Sequence, residues 1–150
     1  MTPSPRPTLI VVSGMSGSGK TVALRTLEDL GYYCVDNLPA ELLTGFVHSV
    51  AEAETPRSQV AVSIDVRNLA SDLSRIGHWL SAVAELGYDH RLVFFDTTDS
   101  VLVKRYSDTR RRHPLSALGL ALSDAIALER ERLRPLRALA DTLIDTSELN

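Results

Sequence analysis

Three features of the sequence predict an α/β domain built on a five-stranded parallel sheet flanked by helices. Short β-branched apolar runs alternate with helically spaced ones along most of the 150 residues. Each helical stretch is long enough to cross back over the sheet, the pattern that builds parallel strands with right-handed connections. The strands end on Gly14, Asp36, Asp65, Asp96 and Asp145, and in such folds ligands sit at the carboxyl ends of the strands.

The elements follow in order. Met1 to Thr8 carries three prolines and an arginine and no apolar stretch, so residues 1–8 read as a disordered leader before a domain spanning 9–150. Leu9, Ile10, Val11, Val12 and Ser13 form a buried strand. Val22, Leu24, Leu27 and Leu30 suggest a helix from Thr21, stopped by Gly31. Tyr32 to Val35 is a second strand, and Pro39 opens a helix through Leu42, Leu43, Phe46, Val47 and Val50. Thr55, Pro56, Arg57 and Ser58 make a loop. Val60 to Ile64 is the third strand, with a helix through Leu69, Leu73, Ile76, Leu80 and Val83 after it. Arg91 to Phe95 is the fourth strand, and Val101, Leu102 and Tyr106 lie on the next helix. A long helix is expected from about Ser123 to Ala140, bent at Pro135, which cannot donate to the carbonyl of Glu131. Thr142, Leu143 and Ile144 complete the sheet.

Composition narrows the function classes. A formal net charge of −3 argues against whole-surface attraction to nucleic acid. The single cysteine, Cys34, permits no internal disulfide, which suits a cytoplasmic location, and it reads as core rather than nucleophile. No apolar run approaches the roughly 18 residues of a membrane helix. His48, His78, His90 and His113 have no cysteine partners at zinc spacing.

Gly14-Met15-Ser16-Gly17-Ser18-Gly19-Lys20-Thr21 matches G-x-x-x-x-G-K-[ST] between a strand and a helix, the context its chemistry needs. Glycines let the backbone curl so that N–H groups face anionic oxygens, and the helix adds the positive end of its dipole. Lys20 is placed for the β- and γ-phosphates of a nucleoside triphosphate and Thr21 for Mg²⁺. The fold is therefore expected to be a P-loop NTPase of the nucleotide-kinase-like kind. A dinucleotide loop is excluded, because Val22 stands where G-x-G-x-x-G needs glycine.

Mg²⁺ wants a further hard oxygen ligand, and Asp65 or Asp36 supplies one from a strand end. Each aspartate could equally be a turn or cap residue, and Asp96 and Asp145 read as structural. Arg67 could meet phosphate or base, or form a surface ion pair. Lys104, Arg105, Arg110, Arg111, Arg112 and His113 crowd together before the long helix. Three readings stand side by side: a phosphate-closing lid using Arg105, Arg110, Arg111 and Arg112; a patch for RNA phosphates; or a solvated face. A small-molecule or nucleotide kinase is the competing function, although no clear acceptor-site base stands out.

Beyond the loop, Gly31-Tyr32-Tyr33-Cys34-Val35-Asp36-Asn37-Leu38-Pro39, Ser63-Ile64-Asp65-Val66-Arg67-Asn68 and Arg105-Tyr106-Ser107-Asp108-Thr109-Arg110-Arg111-Arg112-His113-Pro114-Leu115 are distinctive, as is Ile144-Asp145-Thr146-Ser147. With the phosphate loop they resemble the RapZ/YvcJ family of RNase adapters and nucleotide-binding proteins, over nearly all of the chain from Leu9. The resemblance implies binding of ATP and GTP with Mg²⁺ and, as an enzyme, weak ATPase or GTPase activity at most. It places ATP on Gly14 to Thr21 and GTP on Asp65, Val66, Arg67 and Asn68. It implies a small regulatory RNA and an endoribonuclease as partners of the full-length protein, and it admits an oligomer. Sugar sensing and much of the RNA contact belong to a second, C-terminal domain in that family. The chain stops at Asn150, before that domain would begin, so nucleotide binding with poor RNA binding is the expectation for it.

Overall fold

The computed structural model describes residues 6–53, 58–65, 73–109 and 112–147. The first part of the leader, the loop residues Thr55 to Arg57, Val66, Arg67, Asn68, Leu69, Arg110 and Arg111 lie outside the described residues. The strands are β1 (Thr8–Gly14), β2 (Tyr33–Val35), β3 (Gln59–Ser63), β4 (Asp89–Asp96) and β5 (Thr142–Asp145). The helices are α1 (Lys20–Asp29), α2 (Leu43–Ala51), α3 (Ile76–Glu85), α4 (Asp99–Thr109) and α5 (Leu122–Ala138). The expected five-stranded parallel sheet is present, in the order β2-β3-β1-β4-β5 with every pairing parallel.

The order explains the sequence pattern. β1 lies in the middle, hydrogen-bonded to β3 and β4, and Leu9, Val11, Val60, Val62 and Leu92 have no exposed surface. Strands covered on both faces need continuous apolar runs rather than alternation. The edges are β2, with three residues, and β5, whose Leu143 is half exposed. Short edges limit the unpaired backbone offered to other chains.

Helix stripes dock on this sheet. Leu43 and Val47 of α2, Ile76, Leu80 and Val83 of α3, and Leu102 and Tyr106 of α4 are buried at i, i+4 or i+7 spacing. The stripe expected for α1 is not formed. Only Leu24 is buried there, while Val22 and Leu30 are largely exposed. Residues two apart on a helix are about 200° around its axis, so Val22 and Leu24 cannot share a face. Pro39 caps a short 3-10 turn, Ala40–Leu42, and α2 itself starts at Leu43. α5 runs without interruption through Pro135. Cys34 is half-buried rather than a core residue; burial, with a smaller contribution from Glu28, pushes its thiol pKa up and keeps it protonated.

Two glycines give opposite expectations. Gly14 has φ of +143°, and a Cβ there would lie 2.1 Å from the carbonyl oxygen of Phe95. Gly14→Ala should destabilise the domain by about 3 kcal/mol or more. Gly45 lies in α2 with open space around it. Gly45→Ala should stabilise by about 0.5–1 kcal/mol through helix propensity. Urea midpoints of the two variants beside the parent check both signs.

Candidate functional site

The close approach of Gly14 to β4 starts the phosphate loop. Register pairs Gly14 with Phe95, and the Met15 amide then donates to the Phe95 carbonyl at 3.1 Å. The Met15 side chain is fully buried, so the loop is anchored by a core residue immediately after its first glycine. Gly17 and Gly19 adopt φ of +87° and +105°, conformations that side chains resist. Ser18 closes a turn inside the loop, its amide donating to Met15 at 3.0 Å. Gly19 precedes α1, and no side chain caps that helix. A Cβ on Gly19 would have nothing within 4 Å, so the start of α1 faces open space. Its first-turn N–H groups need partners from outside the helix.

That space is a cleft of about 730 Å³, within the usual range for small-molecule sites. One wall is Ser16, Gly17, Gly19, Lys20, Thr21 and Val22; the other is Arg105, Tyr106 and Thr109 of α4 with Arg112 and Pro114. Two of the four lid arginines named from sequence therefore line the cleft. Arg105 is tied down on α4 rather than carried on the connecting segment. Its guanidinium donates to the carbonyls of Gly17 at 3.0 Å and Thr146 at 2.6 Å.

The carboxylates are distributed along the strand ends. Ile64 donates to the Val12 carbonyl at 3.0 Å, and Ser13 Oγ donates to the Ile64 carbonyl at 2.7 Å. These bonds fix the buried Asp65 beside the strand that feeds the loop. Asp36 is exposed and further out, at the end of edge strand β2. Its Oδ1 accepts from Ser63 Oγ, which itself accepts from the amide of the left-handed Asn37 (φ 55°) at 2.6 Å. Asp96 binds Arg130 Nη1 at 2.8 Å and Arg137 Nε at 3.2 Å. The Asp145 carboxyl is held below its ordinary range by the Ser147 hydroxyl and then the Ser147 amide. The described residues contain no group of three or more His, Cys, Asp or Glu placed to hold a metal by themselves.

Two residues tied to the loop had no role assigned from sequence. Thr146, just past β5, donates from its hydroxyl to the Ser18 carbonyl at 2.9 Å. Glu129 of α5 is completely buried, and its two carboxylate oxygens accept from the Ser16 amide at 3.1 and 3.0 Å. The Ser16 hydroxyl donates to it as well. His113 falls in the basic stretch of the sequence, but it is buried, 3.0 Å from Glu129 through Nε2. Its Nδ1 accepts from the Leu115 amide at 3.0 Å and so caps the 3-10 turn Pro114–Leu118. A ring whose Nδ1 accepts must carry its proton on Nε2, which makes His113 a donor to Glu129. The signal for Glu129 was positional: Ala125, Ile126, Leu133 and Leu136 make the buried stripe of α5, and Glu129 falls inside it.

Comparison with known proteins agrees with this architecture. A shikimate kinase from Bacteroides thetaiotaomicron superposes with a TM-score of 0.58 at 18% identity, covering 92% of this chain and 86% of that one. The YorR protein from Bacillus subtilis, solved in complex with phosphorylated GDP, gives a TM-score of 0.55 at 15% identity over 93% and 85% of the two chains. At these identities the likeness establishes the fold, that of P-loop kinases. In sequence, a protein of Stenotrophomonas maltophilia named nucleotide-binding protein is 57% identical over 153 aligned positions, covering 100% of this chain and 51% of that one. A nucleotide-binding protein of Xanthomonas campestris pv. campestris is 58% identical over 142 positions, covering 94% and 50%. The chain spans about half the length of the curated relatives it matches. No helix among the described residues is long and apolar enough to cross a membrane. The profile of the RapZ-like N-terminal domain matches residues 8–150, and the chain belongs to that family.

Proposed function

We propose that this domain binds a nucleoside triphosphate, ATP or GTP, as its Mg²⁺ complex, in the cleft between the phosphate loop and α4. The observation that carries the reading is the loop itself. Three left-handed or extended glycines open it, an uncapped helix start follows, and Lys20, Arg105 and Arg112 stand around one cavity. Three cations and the N-terminal end of a helix suit a polyanion. Ser18 supports this further. Its hydroxyl is buried with no hydrogen-bond partner among the described residues, an orphan that a ligand oxygen or water would satisfy. The relatives' name, nucleotide-binding protein, agrees.

The residues also fit Mg²⁺. Thr21, which carries a hydroxyl, lines the cleft, and Asp65 would contribute a carboxylate from the neighbouring strand end, with Asp36 as the more distant candidate. These are hard oxygen donors, and Mg²⁺ retains water on the remaining positions. When bound, the ion neutralises phosphate charge. Lys20 orients the phosphates, and the loop amides hold them. Binding rather than turnover is the proposed role, with weak hydrolysis at most. In a full-length protein of the RapZ type the nucleotide state would regulate an RNase adapter, whose small regulatory RNA and endoribonuclease are contacted largely outside this domain. Val66, Arg67 and Asn68 are proposed to add GTP contacts beside Asp65.

Lys20→Ala should weaken binding of a fluorescent ATP analogue more than about tenfold, because a point charge on the phosphates is lost. Its melting curve should stay that of a folded domain, and unchanged affinity would remove the phosphate-loop assignment. Asp65→Asn should cost more affinity with Mg²⁺ than with chelator, since an amide keeps the shape and removes the charge. An equal loss in both conditions moves the metal role to Asp36 or to neither.

The 150-residue chain should bind RNA weakly and lose that binding between low and high salt, given its net charge of −3. Filter binding at two salt concentrations reads this, with calorimetry on ATP and GTP alongside. Tight, salt-resistant RNA binding would contradict it. A phosphotransfer screen with labelled ATP tests the kinase alternative, which robust transfer to a metabolite would favour.

A further inference from the structure

We propose that Glu129 is the positioning residue of the phosphate loop: its buried carboxylate holds Ser16 in the triphosphate-receiving shape, and His113 holds the carboxylate. The proposal rests on the nucleotide-binding reading above.

Glu129 occupies a place that packing alone would give to leucine. It lies between Ile126 and Leu133 on the buried stripe of α5 and has no exposed surface. A carboxylate buried there is costly unless its oxygens are hydrogen-bonded. Here its hydrogen-bond partners among the described residues are donors: the Ser16 amide to both oxygens, the Ser16 hydroxyl, and His113 Nε2. The chain of bonds has one polarity. The Leu115 amide fixes the His113 tautomer, His113 donates to Glu129, and Glu129 accepts from the loop.

The two ends of this chain lie on the two walls of the cleft. Ser16 lines one wall, and Pro114, held in the turn that His113 caps, lines the other. Glu129 and His113 do not line it. They act on a bound nucleotide only through the residues they hold. The Ser16 amide is consumed by the protein, which fixes the first half of the loop and leaves the amides at the start of α1 for ligand.

The chemistry selects the test. Glutamine matches glutamate in size but carries no charge and one acceptor oxygen, so Glu129→Gln loses the charge-assisted bonds and turns an N–H toward either the His113 donor or the Ser16 hydroxyl, which must then reverse from donor to acceptor. His113→Asn separates the two jobs of the histidine. An asparagine oxygen can still cap Leu115, but it is too short to reach Glu129. Calorimetry with Mg-ATP is run on the wild type, Glu129→Gln, His113→Asn, Lys20→Ala and the Lys20→Ala/Glu129→Gln pair, with circular dichroism and melting of each. Glu129→Gln is expected to lose at least about tenfold in affinity while folded, and His113→Asn about threefold. In the Lys20→Ala background the Glu129 substitution should lose much less, because a loop already stripped of its phosphate contact has less to lose from misplacement. A folded Glu129→Gln with wild-type affinity, or an effect that simply multiplies with that of Lys20→Ala, overturns the proposal. Should Glu129→Gln fail to fold, His113→Asn decides: folded with unchanged affinity, it overturns the proposal, and folded with reduced affinity it supports it. A wild-type protein that binds no nucleotide would instead remove the underlying reading.

Discussion

The backbone of Gly14 meets the backbone of Phe95 where the central strand ends, and the rest of the site depends on that approach. At φ of +143° the chain turns out of the sheet while still in register with β4, and any side chain would collide with the Phe95 carbonyl. The amide of Met15 then takes that same carbonyl as its acceptor. A loop that starts one residue later, or at a different angle, could not put Lys20 and Thr21 at the start of α1 beside Arg105. The sheet order matters for the same reason. β1 is the central strand, with two strands on each side, so the loop is aimed from the middle of the sheet.

Once launched, the loop is held by polar bonds from three distant parts of the chain. Arg105 of α4 binds the Gly17 carbonyl, Thr146 after β5 binds the Ser18 carbonyl, and Glu129 of α5 binds the Ser16 amide. Arg105 and Thr146 are themselves joined, and Thr146 donates its amide to the Asp96 carbonyl at 2.8 Å. The carbonyls of Met15, Gly17 and Ser18 are satisfied by protein donors and so are not offered outward. That arrangement suits an anionic ligand, because an outward carbonyl would repel phosphate.

The fold was legible in the sequence to the extent that burial leaves a local mark. β1 and β3 are covered on both faces, so their apolar runs are continuous, while β4 alternates, with Leu92 and Phe94 buried and their neighbours partly exposed. Three residues of β2 sufficed because the aspartate and asparagine after it mark its end. In α1 the apolar residues do not form one stripe, because Val22 and Leu24 lie about 200° apart around the helix axis. The loop was legible because its glycines serve backbone geometry, which sequence records directly. Glu129 was not. It lies in Ala-Leu-Glu-Arg-Glu-Arg-Leu-Arg, where charges at almost every position resemble a solvated face. Only the 3.6-residue period places it between buried Ile126 and Leu133, and only tertiary structure brings it to Ser16, 113 positions away in sequence. His113 was hidden in the same way among arginines.

These ties also bear on what binding must cost. A glycine-rich loop left to itself samples many backbone conformations, and a ligand that had to order it would lose affinity to that entropy. Here bonds to Gly17, Ser18 and Ser16 come from the protein itself. The ordering cost is met during folding, by groups that also hold α4, α5 and the end of β5 together. Affinity and stability are therefore coupled in this domain, since a substitution that loosens the loop also weakens the packing of those elements. The coupling runs in the other direction as well. A ligand that binds only the folded loop stabilises every element tied to it, by an amount set by its concentration relative to its dissociation constant.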